Sequence, residues 1–157
     1  SATLSFSWSG EGLHVRCRVT DQEHNGDHTG PHIWKNDSIQ FGLDPMNGRN
    51  WSEYTFSLTG DGAAAWNHNP PEGFKSGKFD GACSVTRRGN LTEYSFTIPP
   101  ERLGFELKDG TQFRIALLIN DSDGGIRSRT MLFFDGLDGH KDTGKFGLVQ
   151  LRSGRRK

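Results

Sequence analysis

The chain has 157 residues, a length typical of a single domain. Only 32% of the residues are hydrophobic, yet 11% are aromatic and 21 are Gly, a composition that favours short strands and turns over a helical bundle. Nineteen Lys and Arg balance nineteen Asp and Glu, so the basic surface that non-specific nucleic-acid binding needs is not expected.

The longest apolar run covers residues 115–119 and is far shorter than the roughly 20 residues that cross a bilayer, so no membrane span is expected. The N-terminus passes directly into an alternating apolar and polar pattern, without the charged and apolar regions of a signal peptide. We therefore expect a mature or excised piece of a longer protein.

Alternation with a period of two residues dominates the sequence and predicts about ten short strands. They are expected near residues 3–8, 12–20, 37–43, 52–58, 62–67, 81–87, 91–98, 112–119, 129–134 and 145–151. Pro99 and Pro100 end one strand and predict one short helical turn at 100–103. This spacing predicts an all-β fold, an antiparallel, jelly-roll-like β-sandwich.

The alternation stops after Leu151, which predicts a domain over residues 1–151 and a basic tail or linker over 152–157. Cys17 and Cys83 both lie on the apolar phase of predicted strands. Two buried free thiols are favoured, and a disulfide stays open because the sequence does not reveal whether the Cα atoms lie within the ~7 Å that a bridge requires.

Common catalytic and nucleotide-binding motifs are absent: there is no GxSxG, P-loop, GxGxxG after a strand, HExxH or pair of CxxC motifs. We therefore predict no catalytic residues and a protein that is not an enzyme. Acidic residues instead concentrate in Gly-containing loops such as Asp121-Ser122-Asp123-Gly124. Loop carboxylates of this kind suit Ca²⁺, which takes six to eight oxygen ligands, and they also cap turns.

Trp34 stands at the end of a polar loop, three residues before a predicted strand. A Trp near solvent is costly unless it meets a flat apolar partner, and the C–H face of a sugar ring is such a partner. Sugar hydroxyls also need planar amides or charged groups, for which Asn36, Gln40 and Asn120 are candidates. The alternative is that Trp34 covers the edge of the sandwich.

The segment from Trp34 to Asp44 resembles the central motif of family 9 carbohydrate-binding modules, with Trp, Asp, Ser and a final Asp in matching positions. Four further blocks resemble the family in the same order, at residues 13–21, 98–104, 119–127 and 141–151. The resemblance implies a β-sandwich with structural calcium that binds a sugar between two aromatic rings.

Residue by residue, the resemblance assigns Trp34 to the first aromatic ring and Gln40 to a sugar-bonding Glu. The second aromatic position, a Trp in the family, falls near Phe133, and the family's Arg-containing strand aligns with residues 53–57, where no Arg is present. Trp51, Trp66 and Tyr54 are further aromatic candidates for ligand binding. For calcium, the matching residues are Asp21, Asp121 and Asp123.

Four N-x-S/T sequons begin at Asn36, Asn50, Asn90 and Asn120, and two of them fall in the proposed site. Glycans there would block ligand entry, which favours a source that does not glycosylate them. We therefore expect an extracellular or cell-surface protein, of bacterial origin.

The leading hypothesis is a non-catalytic module, monomeric, that targets a polysaccharide-active enzyme in the same chain to a polysaccharide or oligosaccharide. One alternative is a haem-binding domain of the related DOMON type, for which Met46, Met131 and six His are formally available. The other is a structural accessory domain without a working sugar site, as the missing Arg and second Trp allow.

Overall fold

Two antiparallel sheets face each other in the computed structural model of the chain, which describes residues 1–46, 50–125 and 127–154. The strands in these ranges are β1 (Ala2–Ser9), β2 (Gly12–Thr20), β3 (Ser38–Asp44), β4 (Ser52–Thr59), β5 (Gly62–Asn69), β6 (Gly77–Lys78), β7 (Cys83–Arg88), β8 (Leu91–Ile98), β9 (Gln112–Asp121), β10 (Arg129–Phe133) and β11 (Gly147–Gln150). The smaller sheet has the order β1-β2-β8-β7, and the larger has the order β10-β9-β3-β4-β5-β6, with β11 also paired to β9.

The predicted β-sandwich is confirmed, and each of the ten predicted strands corresponds to an observed one. The addition is β6, whose two residues are too short to leave a periodic signal. The predicted turn is a 3₁₀ segment at Pro100–Arg102, and a second 3₁₀ segment, Gly30–Lys35, leads into β3. Leu151 is buried and hydrogen-bonded to Gly110 and Thr111, whereas residues 155–157 of the predicted tail lie outside the described residues.

The main core lies between the two sheets and is built by the alternation of apolar residues along the strands. Phe56 of the larger sheet stacks on Phe96 of the smaller sheet, with 3.9 Å between ring centroids, and Phe41 meets Phe96 edge-on at 5.4 Å. These rings pack the inner faces of the two sheets together at the centre of the sandwich. The outer face of the larger sheet is not part of this core.

A second, smaller core covers part of that outer face. Residues 134–146, here called the wall loop, connect β10 to β11 and place Leu137 and Phe146 against Ala116 and Leu118 of β9. Gly42 of β3 makes this approach possible, because a Cβ atom there would lie 2.7 Å from Cζ of Phe146. The wall loop is therefore fixed to the sheet by packing.

Both cysteines are free, which confirms the preference for two thiols over a disulfide. Cys17 is fully buried, and Cys83 is half-buried on β7. Burial raises the pKa of the Cys17 thiol to about 12 and that of Cys83 to about 11. Among the described residues, no helix has the length and apolarity needed to span a membrane.

Candidate functional site

A cavity of about 600 Å³ opens on the outer face of the larger sheet, between the sheet and the wall loop. It is lined by Trp34, Gln40, Glu53, His68, Arg127, Leu137, Asp138, Gly139 and Lys141. One aromatic ring and several polar groups thus converge on a concave surface, the usual composition of a small-molecule site.

Trp34 forms the apolar side of this cavity. The 3₁₀ segment Gly30–Lys35 carries it to the edge of β3, where its side chain is half-buried. The guanidinium carbon of Arg127 lies 5.8 Å from the centre of the indole, and the Lys35 ammonium lies 5.6 Å from it. Both distances are within the range of cation–π attraction.

The base of the cavity is a buried polar network centred on Glu53, whose side chain is only 6% exposed. Its Oε1 atom accepts hydrogen bonds from Gln40 Nε2 at 2.7 Å and from the Lys141 ammonium at 2.9 Å. Lys141 also donates to the carbonyl oxygen of Leu137 at 2.7 Å. A buried carboxylate needs such charged and polar partners, so these residues fix one another in position.

Asn120 of β9 connects this network to the other side of the cavity. Its Nδ2 atom donates to Gln40 Oε1 at 3.1 Å and to Ser38 Oγ at 3.0 Å. Its Oδ1 atom accepts from Arg127 at 3.4 Å, and Arg127 forms an ion pair with Asp138 of the wall loop at 2.9 Å. The polar groups around the cavity are therefore arranged before any ligand arrives.

His68 of β5 completes the cavity lining. One of its ring nitrogens, Nε2, lies 3.0 Å from Thr55 Oγ1. Burial lowers the pKa of His68, and the nearby Glu53 carboxylate only partly opposes this effect. His68 is accordingly neutral at pH 7 and acts as a polar group without charge.

Three carboxylates form a separate cluster at one end of the sandwich. Asp21, Asp37 and Asp121 offer oxygen atoms that all lie within 4.8 Å of one another. Asp37 accepts backbone hydrogen bonds from Asn25 at 2.6 Å and Ser122 at 2.7 Å. The Oδ1 atom of Asp121 is buried and has no hydrogen-bond partner among the described residues. Burial raises the pKa of both Asp37 and Asp121, and the neighbouring acidic side chains add to the effect.

The cluster fits a divalent cation. A positive ion would stabilise the buried Oδ1 atom of Asp121 and reduce the repulsion among the three carboxylates. An all-oxygen set with backbone groups nearby suits Ca²⁺. Two of its members, Asp21 and Asp121, were predicted from the sequence. Asp37 takes part as well, while the predicted Asp123 is exposed and lies outside the group of three.

The sequence profile described as "Carbohydrate family 9 binding domain-like" matches residues 1–154 of the chain. The chain belongs to this family. No curated protein matches the sequence significantly.

The family 9 module is similar in structure to a carbohydrate binding module family 9 from Caldicellulosiruptor kristjanssonii. The complex with glucose has a TM-score of 0.73 and 16% identity, covering 99% of this chain and 78% of that chain. The complex with cellotriose has a TM-score of 0.73 and 17% identity, covering 99% and 76%. A Bacteroides uniformis protein is also similar, with a TM-score of 0.61, 12% identity and coverage of 95% and 77%. At these identities the likeness shows the fold alone.

Among the residues predicted to bind ligand, Trp34 and Gln40 line the cavity, and Asn120 bonds directly to Gln40. Phe133 does not line it, because its ring packs against the core between the sheets. Trp51 instead meets Phe146 edge-on at 6.1 Å and so supports the wall loop. Within the described residues, Trp34 is therefore the single aromatic ring of this cavity.

Besides Phe133 and Trp51, two further predicted ligand contacts need correction. Tyr54 is 0% exposed and packs edge-on against Phe79 in the main core, so its ring cannot reach a ligand at the surface. Asn36 is also 0% exposed, and its amide exchanges hydrogen bonds with the backbone of His28 while donating to Ser57. Asn36 thus fixes the loop before Trp34. Trp66 lies on β5, outside the cavity lining.

Sequence reasoning missed Glu53, His68, Arg127, Asp138 and Lys141 as cavity residues. Arg127 and Lys141 fall inside blocks that resemble the family, so their positions carried a signal. Glu53 was noted only as part of a strand that lacks an Arg. Its role depends on Lys141, which is 88 residues away in sequence, and such a contact follows from the fold.

Proposed function

We propose that this non-catalytic module binds a sugar in the Trp34 cavity and thereby keeps a polysaccharide-active enzyme on its substrate. The observation that carries the proposal is the combination, in one cavity of about 600 Å³, of the Trp34 ring with the polar network of Gln40, Glu53 and Lys141. Membership of the carbohydrate family 9 binding domain-like family supports it.

A sugar ring presents apolar C–H groups on its faces and hydroxyl groups around its edge. The face can pack on the Trp34 indole, while the hydroxyls exchange hydrogen bonds with the carboxylate of Glu53 and the ammonium of Lys141. These partners are already fixed by Gln40 and the wall loop, which lowers the entropic cost of binding.

The first ligands to test are glucose and cellotriose, because structures of the Caldicellulosiruptor kristjanssonii module hold these two sugars. The fold similarity supports the choice of probe.

We also propose that the cluster of Asp21, Asp37 and Asp121 binds a structural Ca²⁺ ion. The ion would bind three carboxylates from different segments of the chain and balance two of their three negative charges. Asp21 follows β2, Asp37 precedes β3 and Asp121 ends β9. The ion would thereby join both sheets at one end of the sandwich. Its expected contribution is to stability, since none of the three residues lines the Trp34 cavity.

The role in targeting implies a catalytic domain in the same chain and an extracellular or cell-surface location. Binding by one module raises the effective concentration of the attached enzyme at a polysaccharide without oligomer formation, so we propose a monomer. The sequon residues Asn36 and Asn120 are 0% and 1% exposed. A glycan on either residue would be incompatible with this packing, which supports a bacterial source.

Replacing Trp34 by Ala tests the sugar site. We expect Trp34→Ala to lower the affinity for glucose and cellotriose at least about tenfold, since loss of ring contact costs of order 1.4 kcal/mol. Isothermal titration calorimetry and affinity electrophoresis would measure it. Trp34→Phe should retain partial binding, and Leu148→Ala, an exposed apolar residue on β11 outside the cavity, should bind like the wild type.

The melting temperature of Trp34→Ala is expected to stay close to that of the wild type, because the ring is only half-buried. A large fall in melting temperature would instead make Trp34 a packing residue. Unchanged affinity with an intact fold would contradict the proposed site.

One observation favours a second candidate, a structural accessory domain. Phe133 packs on the main core, so the described part of the cavity lining has one aromatic side chain, Trp34, where the family resemblance implies two. Absence of binding to every sugar on a glycan array would favour this function. For haem, the Trp34 cavity is lined by His68, and a second cavity of about 590 Å³ is lined by Met131 together with the three residues of the acidic cluster. Among the described residues, neither cavity brings a Met and a His together.

A further inference from the structure

The Trp34 cavity contains two ion pairs. Glu53 pairs with Lys141 at 2.9 Å, and Asp138 pairs with Arg127 at 2.9 Å. Within residues 1–46, 50–125 and 127–154, every acidic or basic side chain of the cavity lining, apart from His68, belongs to one of these pairs. Lys35 lies beside Trp34 but outside the cavity lining.

We propose that the Glu53–Lys141 and Asp138–Arg127 pairs determine the charge selectivity of the cavity, so that it accepts neutral sugars and rejects sugars that carry a carboxylate or an ammonium group. The inference rests on the proposed function and specifies which sugars the site can take. It assigns a selective role to four side chains that sequence reasoning did not select.

Among the residues that the structure describes, the lining of this cavity offers an acidic sugar no cation that lacks an acidic partner. The Lys141 and Arg127 charges are already balanced by carboxylates at 2.9 Å, so a uronate would add a third negative charge beside Glu53 and Asp138. Like charges in a partly desolvated space repel, and each sugar carboxylate would also lose its hydration. An amino sugar would be disfavoured for the corresponding reason, because it adds a third positive charge beside Lys141 and Arg127.

A neutral sugar meets unused hydrogen-bonding capacity on the same groups. The Lys141 ammonium has three donors, of which Glu53 Oε1 and the Leu137 carbonyl oxygen use two. Arg127 has five N–H donors and bonds to Asn120 and Asp138. A hydroxyl group both donates and accepts, so neighbouring hydroxyls can bond to the cation and the carboxylate of one pair without disturbing its charge balance.

The two pairs should differ in strength. The Glu53 side chain is 6% exposed, whereas the Asp138 side chain is 38% exposed and its partner Arg127 is 31% exposed. Solvent screens the Asp138–Arg127 pair, and exposed pairs of this kind usually carry small energies. The buried carboxylate of Glu53 is therefore expected to contribute more to the rejection of acidic sugars.

Three monosaccharides with the same ring provide the test: glucose, glucuronate and glucosamine. Calorimetry or NMR titration would give the dissociation constants for the wild type and for the variants Asp138→Asn and Glu53→Gln. The control is Asp61→Asn, which removes a negative charge from an exposed turn outside the cavity lining. The quantity compared is the ratio of the glucuronate affinity to the glucose affinity, because Asp138→Asn and Glu53→Gln also alter contacts with glucose.

For the wild type we expect glucose to bind at least about tenfold more tightly than either charged sugar. Asp138→Asn leaves Arg127 unpaired and should raise the glucuronate-to-glucose ratio about threefold, the size of a screened ion pair. Glu53→Gln leaves Lys141 unpaired and should raise it about tenfold. Asp61→Asn should leave the ratio unchanged.

Equal affinity of the wild type for glucose and glucuronate, or an unchanged ratio in Asp138→Asn, would overturn the charge selectivity while leaving sugar binding intact. Binding of none of the three sugars would overturn the proposed function and the selectivity with it. Because Asp138 is partly exposed, its variant remains informative if the buried Glu53→Gln change unfolds the protein.

Discussion

Replacing Gly42 by Ala tests whether the wall loop depends on close contact with β3. The added Cβ atom would lie 2.7 Å and 2.8 Å from two ring atoms of Phe146 and 3.0 Å from Cδ2 of Leu137. Ordinary carbon contacts lie at about 3.5–4.0 Å, so the ring has to move by most of an ångström. Phe146 is 5% exposed and cannot move without disturbing Leu137 and Trp51.

Overpacking of this kind typically costs about 1–3 kcal/mol. At roughly 2–4 °C per kcal/mol for a chain of this size, a change near the middle of that range lowers the melting temperature by about 6 °C. Sugar affinity should fall as well, since the displaced wall loop carries Asp138 and Lys141. Thermal unfolding and titration with glucose would measure the two effects.

Gly60→Ala is the matched control, because no heavy atom of the described residues lies within 4 Å of a Cβ atom added at Gly60, its chain neighbours aside. In the double variant Gly42→Ala with Phe146→Leu, the smaller side chain should accept the methyl group. The combined loss of stability should then be smaller than the sum of the two single losses. A Gly42→Ala protein with the stability and affinity of Gly60→Ala would refute the proposed packing of the wall loop.

Three further predictions concern the metal cluster, the thiols and the histidine. Ca²⁺ at one hundred times its dissociation constant should stabilise the protein by about 2.7 kcal/mol and so raise the melting temperature. Asp37→Asn or Asp121→Asn should abolish this rise. Equal melting curves in Ca²⁺ and in chelator would contradict the site. With thiol pKa values of about 12 and about 11, Cys17 and Cys83 should resist a thiol reagent at pH 8 until the protein unfolds. Rapid labelling of the native protein would contradict their burial. Burial lowers the pKa of His68 in the folded state, so the free energy of unfolding should fall as the pH drops from about 6.5 to that lowered pKa. Denaturant unfolding at a series of pH values would measure this dependence. His68→Gln should make the free energy of unfolding less dependent on pH in this range.

The strands could be predicted because their signal is local. Alternation in β4 puts Tyr54 on the same side as Phe56, and in the structure both face the main core. The same alternation thus contained the evidence against Tyr54 as a ligand contact. For Phe133 the missing information was the pairing register: it lies opposite Leu117, which faces the core, so its ring points inward.

The polar part of the site could not be predicted from local patterns. Glu53 and Lys141 meet only because the wall loop folds back over the outer face of the sheet, and that path depends on the packing of Phe146 near Gly42. The acidic cluster could be predicted in part, since Asp21 and Asp121 follow predicted strands. Asp37 lies in the segment that most resembles the family, but only the fold brings it to the other two.

The two ends of the wall loop offer a route to changing what the module binds. Phe133 at the end of β10 lies opposite Leu117 of β9, and Gly147 at the start of β11 lies opposite Ile115 of β9. The two strands that the wall loop connects therefore meet β9 at positions only two residues apart. Two residues of a strand span about 7 Å, a gap that loops of many lengths can bridge. The wall loop, which forms one side of the cavity, can therefore be replaced by a loop of another sequence or length, by evolution or by design, while the sandwich and Trp34 stay unchanged.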